Sequence, residues 1–209
     1  MSRPSFRSVL ACAVVAAGCL VVNMHQGAAA QRVASVEELS ARAVDPSGPT
    51  SENIGRVDIV IERWATEAEQ EKLHLAAAGG PDKLLDALKS STPRPSGVLL
   101  SPGVQGTGSR ARERRRHALW FAHEIKTPTG RQIIIATDEH LGFGEGRDKS
   151  RVAKNEFTLI DFRFAADGTG VGKIGRADQV TYNKATRTIE LANYDKALSW
   201  LVDVKPSKH

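Results

Sequence analysis

The chain has 209 residues, 29 of them Lys or Arg and 24 Asp or Glu, for a net charge of +5. That length fits one domain whose core can hold without metals or disulfides. Arg3 and Arg7 supply two of the five charges and residues 110–116 (RARERRR) a surplus of +4, so the remainder sums to −1. A near-neutral domain with one basic cluster excludes a general nucleic-acid binder.

Residues 1–30 read as a cleavable signal peptide. Arg3 and Arg7 precede an apolar run, Val9–Val22, and Ala28-Ala29-Ala30 offers the small residues of a cleavage site. The run is shorter than the roughly 20 residues of a membrane span, so no transmembrane span is expected after cleavage, and the mature chain is expected to start at Gln31. Ala16-Ala17-Gly18-Cys19 resembles a lipobox and gives the alternative of a lipid anchor on Cys19. Against it, Ala16 stands where Leu is usual and the apolar run continues past the cysteine. Both cysteines, Cys12 and Cys19, lie in this leader. The mature domain is therefore expected to carry no disulfide, thiolate metal site or cysteine nucleophile. The periplasm or the cell exterior is the expected location, with lipid anchoring as the alternative.

Residues 31–54 read as a flexible linker: Val33–Val44 has the composition of a short helix, and Asp45-Pro46-Ser47-Gly48-Pro49 is rich in breakers. A single domain is expected over 55–205, with a frayed tail at 206–209. Val57, Ile59 and Ile61 alternate with polar neighbours, the period of a half-buried strand. Thr66 and Glu69 form a capping-box pair that starts a helix ending at Gly79-Gly80. Pro81 with Leu84, Leu85 and Leu88 predicts a second short helix with one apolar face. Strands follow at 98–100, 117–126, 132–137, 157–164, within 171–182, at 188–194 and at 198–204. In the last of these Leu198, Trp200, Val202 and Val204 read as one face. Short links between successive strands require antiparallel pairing. The fold class is α+β: a strand, two short helices, then a curved antiparallel β-meander of about seven strands, as a partial barrel or an open sheet.

Five segments, VDIVIERW (57–64), GPDKLLDAL (80–88), IIIATD (133–138), FTLIDFRF (157–164) and TIELANY (188–194), in this order behind a signal peptide, resemble a family of exported bacterial proteins of unknown function. The resemblance covers about residues 55–204. It implies one exported α+β domain and brings no activity, cofactor or site residue with it.

The arginine cluster is the first candidate site. Strand 117–126 meets its hairpin partner 131–138 only over its later part, so 110–116 reads as an overhang in which Arg112, Arg114 and Arg116 share a face with Trp120. Arg110, Arg112, Arg114, Arg115 and Arg116 beside Trp120 suit a headgroup, phosphate or acidic polysaccharide; a solvated, edge-protecting loop is the alternative. Asp138-Glu139-His140, where a strand runs into a loop, is the acid–imidazole cluster, although consecutive residues of an extended chain point to alternating sides. His117 and His123 share a face but stand about 20 Å apart, too far for one metal ion, and no HExxH spacing occurs. Gly142-Phe143-Gly144-Glu145-Gly146 follows a strand but opens no helix, which argues against a phosphate loop. No Gly-x-Ser-x-Gly marks a serine nucleophile, and Asp161 and Glu190 read as solvent-facing strand residues. No metal or cofactor is expected.

Three functions fit this reading. The first is an exported non-enzymatic binding or accessory protein of the bacterial envelope, holding an apolar or anionic small molecule in or beside the sheet. The second is an envelope interaction module that docks a partner protein through a sheet edge or the Arg110–Arg116 loop. The third is a hydrolase with an unrecognised site. An apolar cavity favours the first, a filled core with an exposed patch the second, and a concave acid–imidazole cluster the third.

Overall fold

A computed structural model describes residues 35–45, 52–91, 94–102, 114–141, 157–196 and 199–207. In chain order they form β1 (Glu37–Asp45), β2 (Glu52–Ile61), α1 (Glu67–Ala77), α2 (Pro81–Ser91), β3 (Gly97–Ser101), β4 (Arg115–Leu119), β5 (Phe121–Thr127), β6 (Gly130–Thr137), β7 (Thr158–Ala165), β8 (Gly170–Arg176), β9 (Val180–Asn183), β10 (Thr188–Leu191) and β11 (Ser199–Pro206). Nine strands make one antiparallel sheet in the order β4-β3-β2-β1-β11-β8-β7-β6-β5, and β9 with β10 forms a separate hairpin. Its two edge strands are neighbours in the chain. Trp120 alone separates β4 from β5, and its backbone N–H donates to Ala136 O of β6 at 2.9 Å. The sheet therefore curls until its edges meet in one bent segment, a nearly closed up-and-down barrel.

The antiparallel pairing and the two helices are as the sequence leads one to expect; several details are corrected. Residues 37–45, read as part of a linker, are β1, paired on both sides with β2 and β11. Its inward residues Leu39, Ala41 and Ala43 are good helix formers, so alanines serving a crowded barrel interior imitated a helical composition. The chain is also tied beyond residue 205: Pro206 pairs with Leu39, and Ser207 N–H donates to Glu38 O. Among the described residues nine strands follow the helices, broadly compatible with the expected seven or so. The leader, with Cys19 and the cleavage site, and Gly142–Gly146 lie outside the described residues.

Alternation breaks at two bulged places, which sequence periodicity alone could not locate. At Trp120 the phase flips, so Leu119 and Ala122 both face the interior while Phe121 packs outside. In β11 the register shifts between Leu201 and Val204, and Asp203 takes φ 54°. Leu201 and Val204 are thereby both buried, and Trp200 and Val202 fall on the other face, opposite to expectation.

Leu39, Ile59, Leu99, Ile133, Phe162 and Leu201, from six strands, have no exposed surface. Any water-sized space against them would have given them some, so at this level side chains fill the barrel. The glycines of β8 belong to that packing. Gly170 and Gly172 pair with Phe164 and Phe162 of β7, and a Cβ on Gly172 would stand 2.5 Å from the Phe162 ring.

A second core lies outside the wall, where Leu73 of α1 and Leu84, Leu85 and Leu88 of α2 meet Phe121, Ile134 and Leu159. Each such leucine contributes roughly 2 kcal/mol by leaving water. The capping box is present: Thr66 Oγ1 accepts from Glu69 N at 3.3 Å and Glu69 Oε2 from Thr66 N at 2.8 Å.

Antiparallel order sorts the connections. β1, β3, β6 and β8 end, and β2, β4, β7 and β11 begin, at one end, here termed the mouth. The tight turns at 128–129 and 166–169, the helical excursion 62–96, the start of β1 and the end of β11 lie at the other. That other end is sealed by charge. Arg131, on the inward face of β6, donates to Glu37 of β1 at 2.8 and 3.2 Å and to Glu124 of β5 at 3.1 Å. Its guanidinium also lies 4.7 Å over the Phe164 ring. Hydrogen bonds to Glu37, partly opposed by burial and reinforced by Glu124, raise its pKa further.

Candidate functional site

At the mouth the inward face turns from apolar to polar. Ser101, His117, Thr137, Thr158 and Ser199 are all buried there. β3 and β4 bring the first two together: Leu99 pairs with His117 and Ser101 with Arg115, so one face carries Ser101, Arg115 and His117. Ser101 Oγ stands 3.0 Å from His117 Nε2, and His117 Nδ1 stands 2.7 Å from Glu139 Oε2. A carboxylate can only accept, so Nδ1 carries a proton, and in the neutral imidazole Nε2 is left to accept from the Ser101 hydroxyl.

Glu139 reaches His117 because the bend after β6 is pinned on two sides. Thr158 Oγ1 donates to Glu139 O at 2.8 Å and accepts from Leu141 N at 2.9 Å. On the other side the Trp120 indole N–H donates to Asp138 at 2.8 Å. Asp138 and Glu139 thus serve different partners, and His140 lies in the same bend. The three do not converge on one point, but the turn lets Glu139 join a residue from β4. The Glu139 side chain is half exposed, while Ser101 and His117 are each only 7% exposed.

The arginine cluster is divided by the fold. Arg110 and Arg112 lie outside the described residues. Arg115 and Arg116 are not an overhang, since they pair with Ser101 and Leu100 of β3. Arg114 is occupied: it donates to Asp58 at 2.6 Å and to Leu100 O at 3.1 Å. Burial alone would raise the Asp58 pKa; hydrogen bonds from Arg56 and Arg114 outweigh it and hold the carboxyl below its ordinary range. Trp120 is engaged by Asp138 rather than offered as a platform for guanidinium groups. Arg115 and Arg116 are exposed and make no ion pair with another described residue.

One arginine that periodicity did not single out joins them. Arg176 ends β8 opposite Thr158, and alternation from Ile174 places it on the inward face of the mouth. Its Nε is buried and has no hydrogen-bond partner. The remaining expectations are corrected more simply. His117 faces the interior, whereas His123 lies outside, 3.2 Å from Gln70 of α1, so the flip at Trp120 separates the two histidines. Burial, partly countered by Glu124, lowers the His123 pKa.

Asp161 is not solvent-facing: it is fully buried, accepting from Gln132 at 2.9 Å and Arg163 at 3.2 Å. Arg163 in turn stacks 3.7 Å over Tyr194, whose phenol is pushed to about 12 by burial, with Asp161 adding to it. This cluster pins the 177–198 connection to the outer wall.

Among the described residues no three His, Cys, Asp or Glu stand together to hold a metal ion, and no helix is long and apolar enough to cross a membrane. An open groove of about 460 Å³ lies between α1 and α2, bordered by Lys72, Leu75, Lys83 and Asp86. In comparisons with known proteins, no family model, curated protein or solved structure matches the chain.

Proposed function

We propose that the mature domain is an exported binding protein that takes an anionic ligand at the barrel mouth. The observation that carries this reading is the state of the arginines there. Arg115 on the inward face of β4 and Arg116 on its outer face lack carboxylate partners among the described residues, and the buried Nε of Arg176 on the inward face of β8 has no acceptor. An unsatisfied buried donor costs about 1–3 kcal/mol, and an anion seated between the strands would supply acceptors for it. The packed interior speaks against an apolar ligand inside the barrel, which leaves the anionic half of the first reading. Export rests on the leader, and the family resemblance is compatible with it.

The test is retention of the mature chain on immobilised heparin as salt is raised. Exposed guanidinium groups are screened over about 8 Å at physiological ionic strength, so elution should move steeply with salt. Replacing Arg115, Arg116 and Arg176 together by Ser should remove retention while far-UV circular dichroism stays unchanged. A wild-type chain that flows through at physiological salt would end the proposal.

A further inference from the structure

We infer that Ser101 is a nucleophile for acyl transfer from small carboxylic esters, with His117 as its general base and Glu139 as the residue that positions the imidazole. This goes beyond anion binding and does not depend on it.

Three features carry the inference. In the neutral imidazole the hydrogen bonds run in one direction, Ser101 O–H to His117 Nε2 across 3.0 Å and His117 Nδ1–H to Glu139 across 2.7 Å. These are the contacts an activated hydroxyl needs: a base within reach, and a third group that fixes its tautomer. The residues also arrive from three separate places, the end of β3, the middle of β4 and the pinned bend after β6. Finally, they meet at the mouth, at the ends of β3 and β6 and the start of β4, and not in the packed middle of the barrel.

The chemistry balances with water as the co-reactant. Ser101 Oγ bonds to the ester carbonyl carbon as its proton passes to Nε2. The C–O bond to the alcohol then breaks and the imidazolium returns the proton to the departing oxygen. Water attacks the acyl-serine, His117 takes its proton, and the acid leaves as that proton returns to Ser101. Residue 102 is proline, which has no N–H to offer the oxyanion. Arg115 stands directly across the ladder from Ser101 on the same face, with Cβ atoms at such a pair about 5 Å apart, and supplies the cationic donor instead.

The site also limits the substrate. Ser101 is 7% exposed, and the interior beneath it is closed by fully buried Leu99 and Leu119. These buried leucines leave no room for a long acyl chain directly beneath Ser101, which favours acetyl or a group little larger. Glu139 is half exposed, and water weakens its electrostatic share; orientation is its main contribution.

The experiment uses the mature chain and p-nitrophenyl acetate, with acid quenching and peptide mass spectrometry. An acetyl adduct on Ser101 and a burst of nitrophenolate matching the protein concentration are expected. Ser101→Ala should lose both. His117→Gln should slow acetylation about a hundredfold, in line with a general base, and Glu139→Gln about tenfold. Should His117→Gln fail to fold, the wild-type rate against pH replaces it: general-base catalysis requires a rate that falls on acidification. No adduct on Ser101, release unchanged in Ser101→Ala, or a flat pH profile would each overturn the inference. Heparin retention read on the same samples keeps the two proposals apart. Retention without acetylation removes the nucleophile alone, and acetylation without retention removes the anion site alone.

Discussion

The two ends of the barrel place arginine on the same inward face and use it in opposite ways. At the sealed end Arg131 spans Glu37 and Glu124, tying β6 to β1 and β5 and covering Phe164. At the mouth Arg115 stands across the ladder from Ser101 and Arg176 from Thr158, and the acids nearby are engaged elsewhere, Glu139 by His117 and Asp138 by Trp120. Charge satisfied inside the chain closes a structure. Charge left with donors to spare calls for something from outside.

The largest effect should come from breaking the sealed end. Arg131→Met strands two carboxylates and should cost about 2 kcal/mol, less than the 3–5 kcal/mol of a fully buried pair because these side chains keep some solvent contact. The midpoint of urea unfolding reads this directly, and heparin retention should not change. An unaltered midpoint would mean that the plug is decoration. At the mouth the opposite sign is the informative one. Arg176→Met removes a buried donor that has no acceptor, so stability should stay within about 0.5 kcal/mol of wild type or rise. A loss of more than about 1 kcal/mol would show that Arg176 is a structural partner and would erase the contrast.

The smallest effect belongs to the outer wall near the mouth. The folded-state pKa of Asp58 is lowered below its ordinary 3.8. Above 3.8 the contribution of its bonds to Arg56 and Arg114 is complete; as pH falls from there toward the folded value, the unfolded chain takes up the proton first and stability is lost. Asp58→Asn should flatten that acid limb by under about 1 kcal/mol, since Arg56 and Arg114 are both well exposed. Thermal melts between neutral pH and pH 3 would measure it, and an acid limb as steep in the variant as in wild type would assign the loss to other carboxylates.

Much of the wall was legible in sequence because its signals are local. Val57-Ile59-Ile61 gives a period, Thr66 with Glu69 gives a cap, and short turns give antiparallel order. What escaped depends on neighbours distant in the chain. β1 looked like linker because its interior positions Ala41 and Ala43 carry no strand signal, and β8 hides as Gly-Val-Gly because the rings of Phe162 and Phe164 occupy the space of its side chains. The site was half visible. His117 and Glu139 each stood out as chemistry-bearing residues, but their meeting needs the bend pinned by Thr158 and Trp120. Ser101 carried no signature beyond ending a short strand, and Arg176 had none until the alternation of β8 was known.

The pairing of β1 with β11 sets an order of assembly. Arg42 and Asp203 meet across it at 2.6 Å at a sequence separation of 161. A chain emerging from its N-terminus forms β1–β2 early, yet β1 keeps one open edge until nearly the last residues arrive. Contacts of such separation slow folding, so closure comes late, and an unpaired strand is meanwhile a template for other chains. On the proposal that the chain is exported, delayed closure would also keep the polypeptide threadable, with no finished barrel to jam a narrow passage before β11 is available.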